Sequence, residues 1–149
     1  MDTNEIATGG CYCGAVRFEV VHPFKSVINC HCNMCRSLSG AAYTTWVSVP
    51  AEQFRYRQGE SQLSAYTVSS HVAKRFCPIC GTAVSYTDAR YPDIVGIPAG
   101  IIRPPLCQAP TAHYFVGDKA AWTHICDGLP QFGGESGFEP LFPTTANAT

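Results

Sequence analysis

No run of basic residues occurs anywhere in this chain, and its formal net charge is only −1. Nucleic acid and anionic membrane call for a basic patch or stripe, so neither is expected as a partner. Charged residues are scarce altogether, at 14%, and no apolar stretch approaches the length needed to cross a bilayer. The segment from Met1 to Thr8 is polar and carries acidic residues, without the basic start and apolar run of a secretory signal. A cytoplasmic location is the expectation that follows. No internal repeat and no linker is found.

What is present fits one globular domain: 149 residues, 46% of them hydrophobic, enough for a core. Thirteen glycines and eleven prolines suit many turns and few long helices, which points to an all-β domain of small sheets. Alternating β-branched and aromatic residues predict strands over Ala15–Val20, Tyr43–Val49 and Gln62–Val68. His22-Pro23, Gln58-Gly59-Glu60, Cys80-Gly81-Thr82, Tyr91-Pro92-Asp93 and Arg103-Pro104-Pro105 mark turns and strand ends. One short helix is expected from Cys32 to about Leu38. The sequence after Phe138 has no period and reads as loosely ordered.

Nine cysteines in a chain expected to stay in a reducing compartment argue for metal or redox chemistry over a disulfide frame. Seven of them form three groups: Cys11 with Cys13, then Cys30, Cys32 and Cys35, then Cys77 with Cys80. The first and third groups each supply two thiols beside a glycine, Gly14 or Gly81, which permits the tight turn that brings paired sulfurs to one face. Together they offer four thiolates, the ligand set of a closed tetrahedral zinc site that would tie the first strand to the middle of the chain. Four thiolates also suit iron. A thioredoxin-type redox pair is the other use of Cys-x-x-Cys, but it sits in a βαβ setting absent here.

The middle group offers only three sulfurs, which leaves one corner of a tetrahedron for water or substrate, as in catalytic zinc sites. A structural alternative borrows Cys107, Cys126, His113 or an aspartate as the fourth ligand. Cys107 and Cys126 stand alone, and a packed inert thiol is the ordinary reading of such a residue. Three thiolates around Zn²⁺ carry a net charge of about −1, which blunts the acidity needed to make hydroxide near neutral pH. A site of that kind suits an incoming thiol, bound as thiolate beside an electrophilic carbon.

Gly10-Cys11-Tyr12-Cys13-Gly14, Cys30-His31-Cys32-Asn33-Met34-Cys35-Arg36, Gly40 and Phe76-Cys77-Pro78-Ile79-Cys80-Gly81-Thr82 resemble the glutathione-dependent formaldehyde-activating enzyme family, which also includes centromere protein V. Pro110-Thr111-Ala112-His113-Tyr114, Lys119, Trp122 and Asp127-Gly128-Leu129-Pro130-Gln131-Phe132 are similar to that family's closing pattern. The resemblance implies a zinc domain over residues 9–135, between tails at 1–8 and 136–149. It also implies a β-tent fold of small antiparallel sheets and two zinc ions per chain. One ion would be structural, at Cys11, Cys13, Cys77 and Cys80, and one catalytic, at Cys30, Cys32 and Cys35. The implied activity is a carbon-sulfur lyase, forming S-hydroxymethylglutathione from glutathione and formaldehyde. Another lyase or hydrolase reaction on a non-glutathione substrate, or a non-catalytic zinc-bearing binding module, are the competing functions. The module predicts two closed metal sites and a basic tail.

Around the triplet, Arg36 can pair with a substrate carboxylate through its planar donor fork, or steady the thiolates. His31, between two ligands, is read as packing behind the site rather than as a ligand. Trp46, Tyr43 and Phe54 either wall a pocket or, as aromatics on strands usually do, belong to the core. Lys74 and Arg75 are expected to face solvent. His113 is read as an acid or base for substrate, or as a hydrogen-bonded structural histidine.

Overall fold

The computed structural model describes residues 5–103 and 108–141. Among these residues the chain is all-β, with twelve short strands and one α-helix: β1 (Ile6–Gly10), β2 (Arg17–Val21), β3 (Ser26–Cys30), α1 (Asn33–Ser39), β4 (Thr44–Pro50), β5 (Phe54–Gln58), β6 (Ser64–Thr67), β7 (Val72–Phe76), β8 (Ala83–Asp88), β9 (Ile94–Pro98), β10 (His113–Tyr114), β11 (Phe132–Gly133) and β12 (Glu139–Pro140). No helix among them is long and apolar enough to cross a membrane. Among the described residues the chain divides into two compact units, one of residues 5–26, 47–103 and 108–109, the other of residues 27–46 and 110–141. Neither unit is a continuous stretch, so no linker or shift in composition announces them.

In the first unit, β2 lies antiparallel between β1 and β5, with Ile6 opposite Val21 and Gly10 opposite Arg17. Alternation along β2 buries Phe18 and Val20 and turns Arg17 outward. The ring of Phe18 meets Phe54 at 5.1 Å, and Phe54 in turn meets Tyr56 edge-on at 4.8 Å, so Phe54 is half-buried against the core ring of Phe18. Burial of a ring like that of Phe18 contributes about 1.5–3 kcal/mol. Strand β2 starts at Arg17, two residues later than its alternation suggests, because the backbone up to Val16 is bent around Cys11, whose N–H donates to the Val16 carbonyl at 3.1 Å.

Strands β6, β7, β8 and β9 form an antiparallel meander, with Tyr66 opposite Lys74, Arg75 opposite Ser85 and Tyr86 opposite Gly96. Lys74 and Arg75 do not simply face solvent as expected. Lys74 Nζ lies 5.7 Å from the centre of the Phe76 ring, and the Arg75 guanidinium lies 5.2 Å from that of Tyr56 and pairs with Glu60 at 3.6 Å. In both residues the charged head itself lies over an aromatic face, and both are half-buried.

In the second unit, β10 pairs in parallel with β3, placing His113 beside Asn29 and Tyr114 beside Cys30. The His31 N–H continues this ladder onto the Tyr114 carbonyl at 2.9 Å. Asn29 is buried with its side-chain oxygen accepting from the Thr45 hydroxyl at 2.7 Å. The segment after Phe138, read as loosely ordered, is not so at its start: Glu139 pairs with Gly133 and Pro140 with Phe132. Two glycines at φ 70° and 82°, Gly134 and Gly137, allow the reversal, and Gly137 has no Cβ to collide with the Phe115 ring. Tyr114 stacks on Phe132 at 4.8 Å and Phe138 packs against both Tyr114 and Phe115. Strand β1 likewise begins at Ile6, inside the stretch read as an N-terminal tail.

Candidate metal centres

The first unit brings together Cys11, Cys13, Cys77 and Cys80, whose sulfurs all lie within 4.8 Å of one another. Two hairpin tips supply them. Between β1 and β2, Gly14 at φ 82° closes a turn in which its N–H donates to the Cys11 carbonyl at 3.1 Å. Between β7 and β8, Gly81 at φ 80° does the same toward Cys77 at 2.8 Å. The left-handed backbone at each glycine folds the chain back so that both sulfurs of a pair face one point.

The spacing fits a tetrahedral ion. Zinc–sulfur bonds of about 2.3 Å put ligand sulfurs about 3.8 Å apart. Here Cys11 Sγ lies 3.6 Å from Cys13 Sγ, and Cys13 Sγ lies 3.8 Å from Cys77 Sγ. Donors already point at the sulfurs, with the Val16 N–H 3.2 Å from Cys11 Sγ and the Thr82 hydroxyl 3.2 Å from Cys80 Sγ. The Thr82 oxygen also accepts from the Tyr12 N–H at 3.1 Å, so one hydroxyl links the two tips. Hydrogen bonding by Thr82, through its hydroxyl and its backbone, holds the Cys80 thiol down to about 5.

The second unit brings together Cys30, Cys32 and Cys35, again within 4.8 Å. Cys30 ends β3, Cys32 caps the N-terminus of α1, and Cys35 lies one turn in, so the last two share a helix face. The Cys35 N–H donates to Cys32 Sγ at 3.3 Å, and the Trp46 indole Nε1–H donates to Cys35 Sγ at 3.3 Å. Side-chain hydrogen bonds from Cys30 and Cys35 push the Cys32 thiol down to about 2, while the same sharing with Cys32 and Cys35, and burial, push Cys30 up. Three sulfurs this close do not ionise together without a cation among them, which is the demand a metal ion meets.

Among the described residues no fourth Cys, His, Asp or Glu ligand atom joins this triplet. His113 does not, and Cys126, expected as a packed thiol, is exposed, with its sulfur 3.7 Å from the His124 carbonyl. Cys107 lies outside the described residues. Arg36 is half-buried in α1, and its Nε donates to the His31 carbonyl at 3.3 Å. Gly40, at φ 68°, ends the helix by donating to the Arg36 carbonyl at 2.8 Å.

Behind the triplet lies a chain of side chains that sequence reading left unconnected. His31, fully buried, has Nε2 2.8 Å from His113 Nδ1, and His113, also buried, has Nε2 2.8 Å from Asp127 Oδ2. Tyr43 covers both imidazoles, 4.8 Å from His31 and edge-on to His113 at 5.7 Å. Burial above all, with the positive charges of Lys119 and Arg36 nearby, pushes His31 down to about 4. The hydrogen bond from His113 holds Asp127 below the usual carboxylate range. The Asp127-Gly128 pair was the available signal, since Asp-Gly marks a turn whose carboxylate bonds its own backbone, and Asp127 Oδ1 does accept from the Leu129 N–H at 3.1 Å. Nothing in sequence spacing pairs Trp46 with Cys35 or Thr82 with Cys80.

A sequence model described as glutathione-dependent formaldehyde-activating enzyme matches residues 6–118. A Halomonas elongata protein that bears the same description, provisionally, is 32% identical over 125 residues, covering 78% of this chain and 79% of that protein. The crystal structure of a Rhodobacter sphaeroides protein is similar with a TM-score of 0.55 at 24% identity, over 69% of this chain and 97% of that one, a likeness of fold. With both sulfur clusters inside the matched span, the chain belongs to the glutathione-dependent formaldehyde-activating enzyme family.

Proposed function

We propose that this protein is a zinc-dependent carbon-sulfur lyase-type enzyme acting on glutathione or a related thiol adduct, with S-hydroxymethylglutathione formation from glutathione and formaldehyde as its reaction. The observation that carries this reading is the three-sulfur cluster of Cys30, Cys32 and Cys35, which no fourth ligand joins among the described residues. A zinc ion held there would supply an open position that takes the substrate sulfur as thiolate. The four sulfurs of Cys11, Cys13, Cys77 and Cys80 form the complete set expected of a structural ion.

In the reaction a bond forms between the glutathione sulfur and the formaldehyde carbon, the carbonyl π bond breaks, and the thiol proton ends on the former carbonyl oxygen. The chain's own groups prepare this step. The Cys35 N–H and the Trp46 indole N–H disperse negative charge on the ligand sulfurs, and the N-terminal turn of α1 favours that charge further. Arg36 Nε is fixed on the His31 carbonyl, which leaves the outer nitrogens of its planar fork for a substrate carboxylate. No disulfide links the eight described cysteines, which suits a reducing, cytoplasmic setting.

The test is to incubate zinc-loaded protein with glutathione and formaldehyde and follow S-hydroxymethylglutathione above the uncatalysed rate. An excess rate that vanishes in Cys32→Ser is the expected result. No excess rate, with the spectrum of the cobalt-substituted protein still perturbed by glutathione, would move the reading to another thiol reaction. Neither effect would leave a binding module.

A further inference from the structure

The buried contacts His31 Nε2 to His113 Nδ1 and His113 Nε2 to Asp127 Oδ2, both 2.8 Å, admit more than one placement of the ring hydrogens. Two observations choose among them. First, Asp127 is an acceptor at both oxygens: Oδ1 takes the Leu129 N–H at 3.1 Å and Oδ2 faces His113. The carboxylate therefore requires the hydrogen of His113 to sit on Nε2. Second, His31 Nδ1 is buried and has no hydrogen-bond partner. Buried N–H groups without partners are rarer than buried acceptors left bare, so Nδ1 carries a lone pair and the hydrogen of His31 sits on Nε2. A His113 with hydrogens on both nitrogens would donate to His31 Nε2 and force a hydrogen onto that orphaned Nδ1.

We infer that Asp127 and His113 are positioning residues: through a one-way hydrogen-bond chain, His31 to His113 to Asp127, they lock the orientation and tautomer of the residue between the ligands Cys30 and Cys32. The strut has a fixed far end, since Asp127 is held by its own turn at Gly128, φ 73°, and the His113 N–H is bonded to the Pro130 carbonyl at 2.9 Å. It has a covered flank, since Tyr43 lies against both rings. It has a near end in the ligand loop, where the His31 N–H and the Arg36 contact to the His31 carbonyl fix the same residue's backbone. The result is that the Cys30-His31-Cys32 backbone is set from both its main chain and its side chain before any ion arrives, which is how partners behind a metal site raise its affinity. The polarity also keeps the His31 ring from offering an N–H at Nδ1, so the sulfurs' donors remain the Cys35 and Trp46 N–H groups.

This deepens the functional reading above, since it concerns the site to which that reading assigns the chemistry, but its test does not depend on turnover. In protein labelled with ¹⁵N-histidine and loaded with zinc, long-range proton–nitrogen correlations report which nitrogen of each ring is bare. Both His31 and His113 are expected as Nε2–H tautomers, and a hydrogen on Nδ1 of either ring overturns the inference without any mutation. In Asp127→Asn the side-chain amide can donate to His113 Nε2. The hydrogens of both rings are then expected on Nδ1, and cobalt at the three-sulfur site is expected to bind about tenfold more weakly. Cobalt at the four-sulfur site serves as the internal control for folding. Unchanged tautomers and unchanged cobalt affinity at the triplet in that variant would also overturn it. Failure of the glutathione and formaldehyde assay in wild-type protein, with these signatures intact, would count against the reaction and not against the chain.

Discussion

The indole of Trp46 donates its Nε1–H to the sulfur of Cys35 across 3.3 Å. An aromatic on an alternating strand is ordinarily read as core, and here the same residue places its one polar atom on a sulfur of the triplet. Trp46→Phe keeps most of the ring and deletes the donor. The expected outcome is about a tenfold loss of zinc affinity at the triplet, by analogy with other groups behind metal ligands. Competition with a chromophoric chelator measures it, and an unchanged affinity would show that the contact carries no weight.

Thr82 is the matching group at the four-sulfur cluster. Its hydroxyl helps hold the Cys80 thiol down to about 5, and removing it lets that thiol rise toward its ordinary value. A thiol with a higher value holds its proton more tightly as pH falls, so protons displace the metal sooner. Thr82→Val is therefore expected to release metal at a higher pH than wild type during an acid titration. Release at the same pH, or a lower one, contradicts the assignment of that hydroxyl.

Cys13 and Cys77 are 64 residues apart in sequence and their sulfurs are 3.8 Å apart. A link across a loop of that length restricts the unfolded chain, an effect of about 4 kcal/mol by closure entropy. Cys77→Ala is expected to lower the metal content by one ion per chain and to lower stability by several kcal/mol, read by metal analysis and denaturant unfolding together. A variant that loses the ion and keeps its midpoint would show that the hairpin tips are held by the surrounding sheet alone.

Much of this was legible in the sequence because it rests on local rules. The alternation in Tyr43–Val49 and Gln62–Val68 gave β4 and β6 to within about two residues, and Cys32 to Leu38 foretold α1. The four-sulfur cluster was legible because a glycine stands beside each tight pair, Gly14 and Gly81, and the triplet because its three cysteines lie within six residues. What could not be read depends on distant pairings. His31 and His113 lie 82 residues apart and meet only because β10 runs parallel to β3. The β11–β12 hairpin has no alternation, since its strands hold two residues each and rely on Gly134, Gly137 and the Tyr114–Phe132 stack. Arg75 does more than face solvent because its guanidinium lies over the ring of Tyr56, a neighbour that sequence order does not supply.

Gly59 tests the backbone on which the first unit turns. It sits at φ 77° between β5 and β6, and a Cβ there would collide with the Ala15 carbonyl. Gly59→Ala combines a left-handed backbone with a clash against main chain, which cannot rotate away. A loss of about 1–3 kcal/mol in denaturant unfolding is expected. A neutral result would require the turn to have shifted, visible as changed amide shifts at Ala15 and Val16.

If the proposed reaction holds, Arg36 would separate substrate recognition from metal binding. Its Nε is committed to the His31 carbonyl at 3.3 Å, which sets the plane of the guanidinium and leaves its outer nitrogens for a carboxylate. A lysine keeps the charge but lacks the planar pair of donors. Because Arg36 is only half-buried, water competes for the same groups, so the effect of Arg36→Lys is expected near tenfold rather than a hundredfold. That loss should fall on KM for glutathione, with kcat changed little, because a carboxylate contact of this kind would be present before and during the reaction. A thiol without carboxylates, such as 2-mercaptoethanol, should react equally well with variant and wild type. Equal losses for both thiols would instead mean that Arg36 acts by holding the His31 carbonyl, and through it the ligand loop.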